Sequence, residues 1–135
     1  MSQYRPPTEK SKYYLPKQTF LTVVHYCLQY PLWVEELRDL PAAGAIDYQK
    51  DRVIASPNPD QIERLAIRRA ELDDKCGKIE KTVKEVAGPV LGPWLIKGVC
   101  YDRPYIYLQA KGIPCGKKMY YQIRRRFYYE MSKRI

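Results

Sequence analysis

The sequence has little with which to bind a metal ion. It contains a single histidine, His25, and none of its four cysteines (27, 76, 100 and 115) belongs to a C-x-x-C pair. Protein zinc sites are built mainly from closely spaced cysteine and histidine ligands, so this spacing predicts no metal site. Scattered cysteines of this kind are expected to be reduced and mostly buried.

Long apolar runs are also missing. No stretch approaches the roughly eighteen apolar residues that a membrane-spanning helix requires. The first residues are polar and include Pro6-Pro7, which is unlike an apolar signal segment. We therefore expect a cytoplasmic protein with no membrane partner.

Signatures of catalysis are absent as well. The chain has no glycine-rich phosphate loop and no cysteine–histidine dyad spacing. His25 lies among apolar residues, which is typical of a core or helix-face histidine, and the Asp73-Asp74 pair lies in a charged stretch typical of a solvated helix. The sequence predicts neither an enzyme nor a bound cofactor.

Positive charge is abundant, and it is segregated. The net charge is +9. Residues 97–135 hold ten basic and two acidic residues, a balance of +8, whereas residues 1–96 hold fourteen and thirteen, a balance of +1. A solvated basic tail would lack the large apolar residues of this region, so the segregation favours a surface that neutralises phosphates.

Prolines and glycines divide the first part of the chain. Residues 1–15 are predicted to be an extended arm, and residues 16–87 an N-terminal helical region. One helix is expected to start near Pro16 and a second at Pro31, with Pro41 closing it. Residues 41–59 are predicted to be a loop, with a short extended piece over residues 51–55.

The longest helix is predicted over residues 60–87, with Asp60 as N-cap and Gly88-Pro89 as the stop. Apolar residues follow a heptad register in which Arg69 is the only charged member. The register comprises Ile62, Leu65, Arg69, Leu72, Cys76, Ile79, Val83 and Val86. It fits either a homodimeric coiled coil through residues 62–86 or internal packing against the preceding helices.

Residues 88–135 are predicted to form a helix-turn-helix DNA-binding domain. Its first helix covers residues 90–99. Its second follows an N-cap at Asp102 and directs Tyr105, Ile106 and Leu108 into the core. A turn at Gly112 precedes the last helix. There, residues at four-residue intervals suggest an apolar stripe, formed by Met119, Ile123, Phe127, Met131 and Ile135.

The stretch 98–135 resembles region four of bacterial sigma factors, which reads a promoter element. It is more similar still to small phage regulators of the ArpU and RinA type. Gly112-Ile113 matches their turn, Tyr120-Tyr121 the aromatic position and Arg124-Arg125-Arg126 the basic run. Cys115 and Gly116 stand where those proteins usually have serine or threonine, so a weaker helix cap is expected.

Recognition helices of this type place their N-terminal residues against base edges. Lys117, Lys118, Tyr121 and Gln122 are therefore the predicted base contacts, because they lie off the apolar stripe. Four further residues are predicted to contact phosphates: Arg124, Arg125, Arg103 and Lys111.

These features together predict a sequence-specific, duplex DNA-binding regulator of transcription. The resemblance implies late phage or prophage genes, a bacterial host cell, and RNA polymerase as a further partner. Two alternatives stay open at this point. One is a small terminase subunit that recognises a packaging site, which a large ring of protomers would indicate. The other is a basic protein-interaction module acting on RNA polymerase.

Overall fold

The computed structural model describes residues 6–41 and 58–135, and within them the chain forms α-helices and no strand. The all-α fold expected from the sequence is thus confirmed. The helices are α1 (Lys17–Leu28), α2 (Tyr30–Asp39), α3 (Pro59–Val99), α4 (Tyr105–Ala110) and α5 (Lys117–Ser132). The predicted loop over residues 41–59, apart from its ends, and the extended piece over residues 51–55 lie outside the described residues.

Prolines set the boundaries of the first two helices, as the sequence indicates. Pro16 is the N-cap of α1, and Pro31 lies in the first turn of α2, where an N–H would have no helical partner. Leu40 turns extended, with ψ of 133°, immediately before Pro41. The two helices follow each other with only Gln29 between them.

The start of α3 differs from the prediction by two residues. The N-cap is Asn58, whose side-chain oxygen accepts a hydrogen bond of 2.9 Å from the amide of Asp60. Pro59 occupies the first helical position, which suits its fixed φ angle and missing N–H. Asp60 is therefore not the cap. It lies in the first turn of α3, where its negative charge interacts favourably with the positive end of the helix dipole.

The heptad residues in the middle of α3 pack against other helices of the same chain. Leu72, Cys76, Ile79 and Val83 are each at most 4% exposed, because α1, α2 and α5 pack on this helix. Internal packing, the second of the two interpretations, is thus confirmed for the middle of α3. These four positions are therefore not available to a partner helix, and the homodimer through residues 62–86 stays a prediction. Ile62, at the far end of the register, is 42% exposed.

Arg69, the charged member of that register, has a structural explanation. Its guanidinium donates hydrogen bonds to the carbonyl oxygens of Leu40 at 3.1 Å and Pro41 at 3.2 Å. These carbonyls lie at the C-terminal end of α2, where backbone acceptors lack helical partners. One residue earlier, Arg68 holds both carboxylate oxygens of Glu36, at 2.6 and 2.8 Å. The first half of α3 is thereby fixed to α2.

Gly88 breaks α3 into two segments, as predicted for the Gly88-Pro89 pair. Its φ of 78° and ψ of −178° are not helical, and its missing Cβ permits this conformation. The helix resumes at once and continues to Val99. Leu95 and Val99 are fully buried, whereas Leu91 and Trp94 are only partly buried.

Residues 6–15 do not form an extended arm. The amide of Ser11 donates to the carbonyl of Thr8 at 2.9 Å, and the amide of Tyr14 donates to the carbonyl of Ser11 at 3.1 Å. Leu15 is 6% exposed, and Pro7 is buried as well. Two short turns between buried anchors therefore replace the predicted arm in this part, while residues 1–5 lie outside the described residues.

One hydrophobic core joins the predicted helical region to the predicted C-terminal domain. Phe20 of α1 meets Tyr128 of α5 with ring centroids 5.3 Å apart. Three cysteines are buried in this core and Cys115 is partly buried, which confirms the expectation of mostly buried cysteines. Over residues 6–41 and 58–135, no helix combines the length and apolar character needed to cross a membrane.

Candidate nucleic-acid interface

The last helix, α5, lies alongside the second half of α3 in the opposite direction. At one end, Tyr120 approaches Gly98 so closely that a Cβ on Gly98 would lie 1.8 Å from the tyrosine hydroxyl oxygen. At the other end, Arg134 donates a hydrogen bond of 2.8 Å to the Thr82 hydroxyl and forms an ion pair with Glu85. These contacts fix both the position and the rotation of α5.

The buried face of α5 is not the predicted stripe. It consists of Tyr120, Arg124, Phe127, Tyr128 and Met131. Phe127 and Met131 belong to both sets, but Met119 is 52% exposed and Ile135 42% exposed. An interval of four residues advances about 40° beyond a full turn, so a stripe built only from such intervals winds around a straight helix. The tyrosines, with their large rings, fill the core instead.

The opposite face of α5 is open, and it carries the positive charge. Lys118, Gln122, Arg125 and Arg126 are exposed along it. We call this set the open face. Of the predicted contacts, Lys117 is also exposed, in the first turn of α5, and Tyr121 is half-buried at the edge. Arg126, which sequence reasoning did not select as a contact, thus belongs with the candidate residues.

Arg124 was predicted to contact a phosphate, but the structure buries its side chain. It is 4% exposed, and its guanidinium carbon lies 5.6 Å from the ring centroids of both Tyr121 and Tyr128. Buried guanidinium groups are stabilised by aromatic faces in this arrangement. A side chain held in this way supports the helix from inside and does not reach a phosphate at the surface. Burial also raises the pKa of neighbouring Tyr120 to about 12, although the charge of Arg124 acts in the opposite direction.

Two cations that flank α4 lie around one aromatic ring of that helix. The guanidinium carbon of Arg103 lies 5.1 Å from the ring centroid of Tyr107, and the Lys111 ammonium lies 5.7 Å from it. Tyr107 is 38% exposed and Ile106 is 73% exposed, so the prediction that Ile106 enters the core is wrong. The four-residue spacing from Arg103 to Tyr107 to Lys111 was the signal in the sequence for this arrangement.

The start of α4 is also displaced from the prediction. Pro104, in an extended conformation, is the residue that precedes the helix. Asp102 adopts a φ of 54° and lies outside it, so Asp102 is not the N-cap. Tyr105 and Leu108 are buried, as expected, at 7% and 0% exposure.

The turn from α4 to α5 is held by backbone hydrogen bonds and by the side chain of Tyr105 from α4. Gly112 adopts a φ of 98°, as the predicted turn requires, and the amide of Ile113 donates to the carbonyl of Leu108 at 3.0 Å. The Tyr105 hydroxyl donates to the carbonyl of Cys115 at 2.8 Å. Gly116 precedes α5 without a side-chain cap, which confirms the expected weak cap. The open face and the two α4 cations are thereby connected through a fixed turn.

The chain matches no protein-family model, no curated protein and no solved structure. In the two described ranges, no group of three or more histidine, cysteine, aspartate or glutamate side chains is arranged to hold a metal ion.

Proposed function

We propose that this protein binds duplex DNA in a sequence-specific manner and regulates transcription, with α4, the Gly112 turn and α5 acting as a helix-turn-helix. The single observation that carries the proposal is the division of α5 into a buried aromatic face and an open face of three cations and one glutamine. The resemblance to phage regulators supports late phage or prophage genes as the targets and RNA polymerase as a further partner.

The charge on α5 suits a polyanion. Glu130 is the only acidic residue of this helix, and it lies near the C-terminal end, within 3.9 Å of the Lys133 ammonium and 4.0 Å of the Arg134 guanidinium. The first three turns therefore carry positive charge without an acidic neighbour on the same helix. A helix of this diameter fits the major groove of B-form DNA, which is about 12 Å wide.

The two groups of cations suit different parts of a duplex. Lysine and arginine near the start of a recognition helix can donate hydrogen bonds to guanine. Glutamine can donate from its amide nitrogen to adenine N7 and accept at its amide oxygen from the adenine amino group. Arg103 and Lys111 lie outside this helix and would contact phosphates, which position a protein without reading sequence. The same chain therefore presents groups for reading bases and groups for orientation.

The first prediction concerns the electrostatic part of binding. Duplex affinity of the unmodified protein should fall steeply with salt, and Arg125→Ala should reduce the slope of log affinity against log salt by about 0.9, because one phosphate is no longer neutralised. Fluorescence anisotropy over a range of salt concentrations measures both. Arg64→Ala, which removes an exposed cation from the first turns of α3, is the matched control and should leave the slope unchanged. A slope near zero for the unmodified protein would exclude duplex binding and favour a protein partner.

The second prediction concerns sequence reading. After selection of bound sequences from a random duplex pool, Gln122→Ala should weaken binding by about 1–3 kcal/mol on the preferred site and little on random duplex. Gln18→Ala, which changes an exposed glutamine of α1, should leave binding to both duplexes unchanged. Equal weakening on preferred and random duplexes would show that α5 does not read sequence, and would leave a non-specific DNA-binding protein.

A further inference from the structure

The N-terminal segment packs on α5 at Tyr129, beyond the last residue of the open face. The ring of Tyr13 lies against the ring of Tyr129, with centroids 5.6 Å apart. Tyr129 follows Gln122 by seven residues, which is close to two helical turns, so the two side chains lie on the same side of the helix. The segment is thus attached to the side of α5 that carries the candidate base contacts.

Positive charge surrounds this aromatic pair. The ammonium of Lys12 lies 5.1 Å from the Tyr13 ring centroid, and the ammonium of Lys133 lies 4.3 Å from the Tyr129 ring centroid. Lys10 is exposed in the adjoining turn. Two carboxylates lie nearby: Glu9 in the same turn, and Glu130, which is 3.9 Å from the Lys133 ammonium. Aromatic faces hold cations of this kind in place without neutralising them. The cluster is therefore a basic surface with a defined position and not a loose tail.

The segment is ordered at both ends. The amide of Tyr13 donates to the Ser11 hydroxyl oxygen at 3.1 Å, within the two short turns of residues 8–14. Buried Pro7 and Leu15 lie on either side of these turns. Lys10 and Lys12 consequently need less ordering on binding a ligand than lysines in an unanchored chain would need.

The spacing along α5 suits the two edges of a DNA groove. From Gln122 to Tyr129 the helix rises about 10 Å, at 1.5 Å per residue. The major groove is about 12 Å wide, which is similar to this rise. Arg103 and Lys111 flank α4, which joins the opposite, N-terminal end of α5 through the Gly112 turn.

We infer that residues 8–13 form a second phosphate-contacting element, in which Lys10 and Lys12 bind the DNA backbone across the groove from Arg103 and Lys111. This inference rests on the proposed function and extends its interface to a part of the chain where the sequence indicated only a polar arm. The tyrosine pair acts as the attachment that holds the element against α5.

The test compares two double variants of the full chain. Lys10→Ala with Lys12→Ala should weaken binding alike on preferred and random duplexes, and should reduce the salt slope by about 0.9 for each phosphate that is no longer neutralised. Arg38→Ala with Arg64→Ala removes the same charge from exposed positions on α2 and the first turns of α3, and should leave the slope near that of the unmodified protein. Hydroxyl-radical footprinting should show that protection disappears at one backbone edge in the lysine variant alone.

The contact between Tyr13 and Tyr129 is tested separately. Tyr13→Phe keeps the ring and should bind like the unmodified protein, whereas Tyr13→Ala should leave the same backbone edge unprotected as the lysine variant does. If the unmodified protein binds duplex and the two double variants behave alike, the inference is overturned and the proposed function stands. If the unmodified protein shows no salt-dependent binding to duplex, both are overturned.

Discussion

Replacement of Phe127 by alanine is expected to lower the free energy of unfolding by about 3–5 kcal/mol, as for other large aromatic residues removed from a core. Phe127 is 0% exposed and its ring meets that of Tyr128, with centroids 5.7 Å apart. The cavity left by the substitution would lie between α5 and the helices that pack on it. Urea denaturation followed by circular dichroism measures the change.

Met119→Ala is the matched comparison, because Met119 belongs to the same four-residue stripe in the sequence. It is 52% exposed, so its substitution should change the free energy of unfolding by no more than about 0.5 kcal/mol. Similar large decreases at both positions would mean that α5 is rotated so as to bury Met119. The open face would then no longer be the exposed surface of α5, and the proposed interface would have to be abandoned.

Helix boundaries could be predicted from the sequence because local chemistry determines them. Pro16, Pro31 and Pro41 limit α1 and α2 through their fixed φ angle and missing N–H, and Gly88 breaks α3 through its positive φ. These effects act within one or two residues of the position concerned. The boundary residues that were misplaced, Asp60 and Asp102, each stand near a proline at the helix start: Pro59 is the first residue of α3, and Pro104 is the N-cap of α4.

The rotation of α5 was harder to predict, because it depends on packing between distant parts of the chain. Aliphatic residues every fourth position suggested one face, but Tyr120 and Tyr128 compete for the core with larger rings. Their polar tips make tyrosines ambiguous in a sequence. Tyr120 enters because Gly98, far from it along the chain, leaves room for its hydroxyl, and no local pattern contains that information.

The candidate contacts on α5 depended on this rotation. Arg125, Gln122 and Lys118 are exposed with either assignment of the helix face, so the sequence could identify them. The face expected from the sequence leaves Arg124 exposed and makes it a contact, whereas in the structure Arg124 is buried and Arg126 is exposed. Tyr121 and Tyr128, three residues before and four residues after Arg124, were the local indication that its guanidinium would lie between rings.

The close approach of Tyr120 in α5 to Gly98 in α3 leads to the second large expected effect on stability. Gly98→Ala is expected to lower the free energy of unfolding by up to about 3 kcal/mol, because the new Cβ would lie 1.8 Å from the Tyr120 hydroxyl oxygen. Alanine is intrinsically better than glycine in a helix by about 0.5–1 kcal/mol, which is too little to offset the clash. The Tyr120 ring has little freedom to move, since it is 2% exposed and its centroid lies 5.5 Å from that of Tyr105 and 5.3 Å from that of Tyr121.

A substitution at Tyr120 tests whether the clash with its hydroxyl causes the loss of stability in Gly98→Ala. The Tyr120 hydroxyl is buried without a hydrogen-bond partner in the described structure, so Tyr120→Phe alone should cost little. In the double variant, Gly98→Ala with Tyr120→Phe, the clashing oxygen is gone and the nearest ring atom lies 3.1 Å from the new Cβ. Most of the stability should return, as a double-mutant cycle by urea denaturation would show through a coupling free energy above about 1 kcal/mol. If the two substitutions are instead additive, α5 does not approach α3 at Gly98, and the contact that fixes the rotation of its open face is absent.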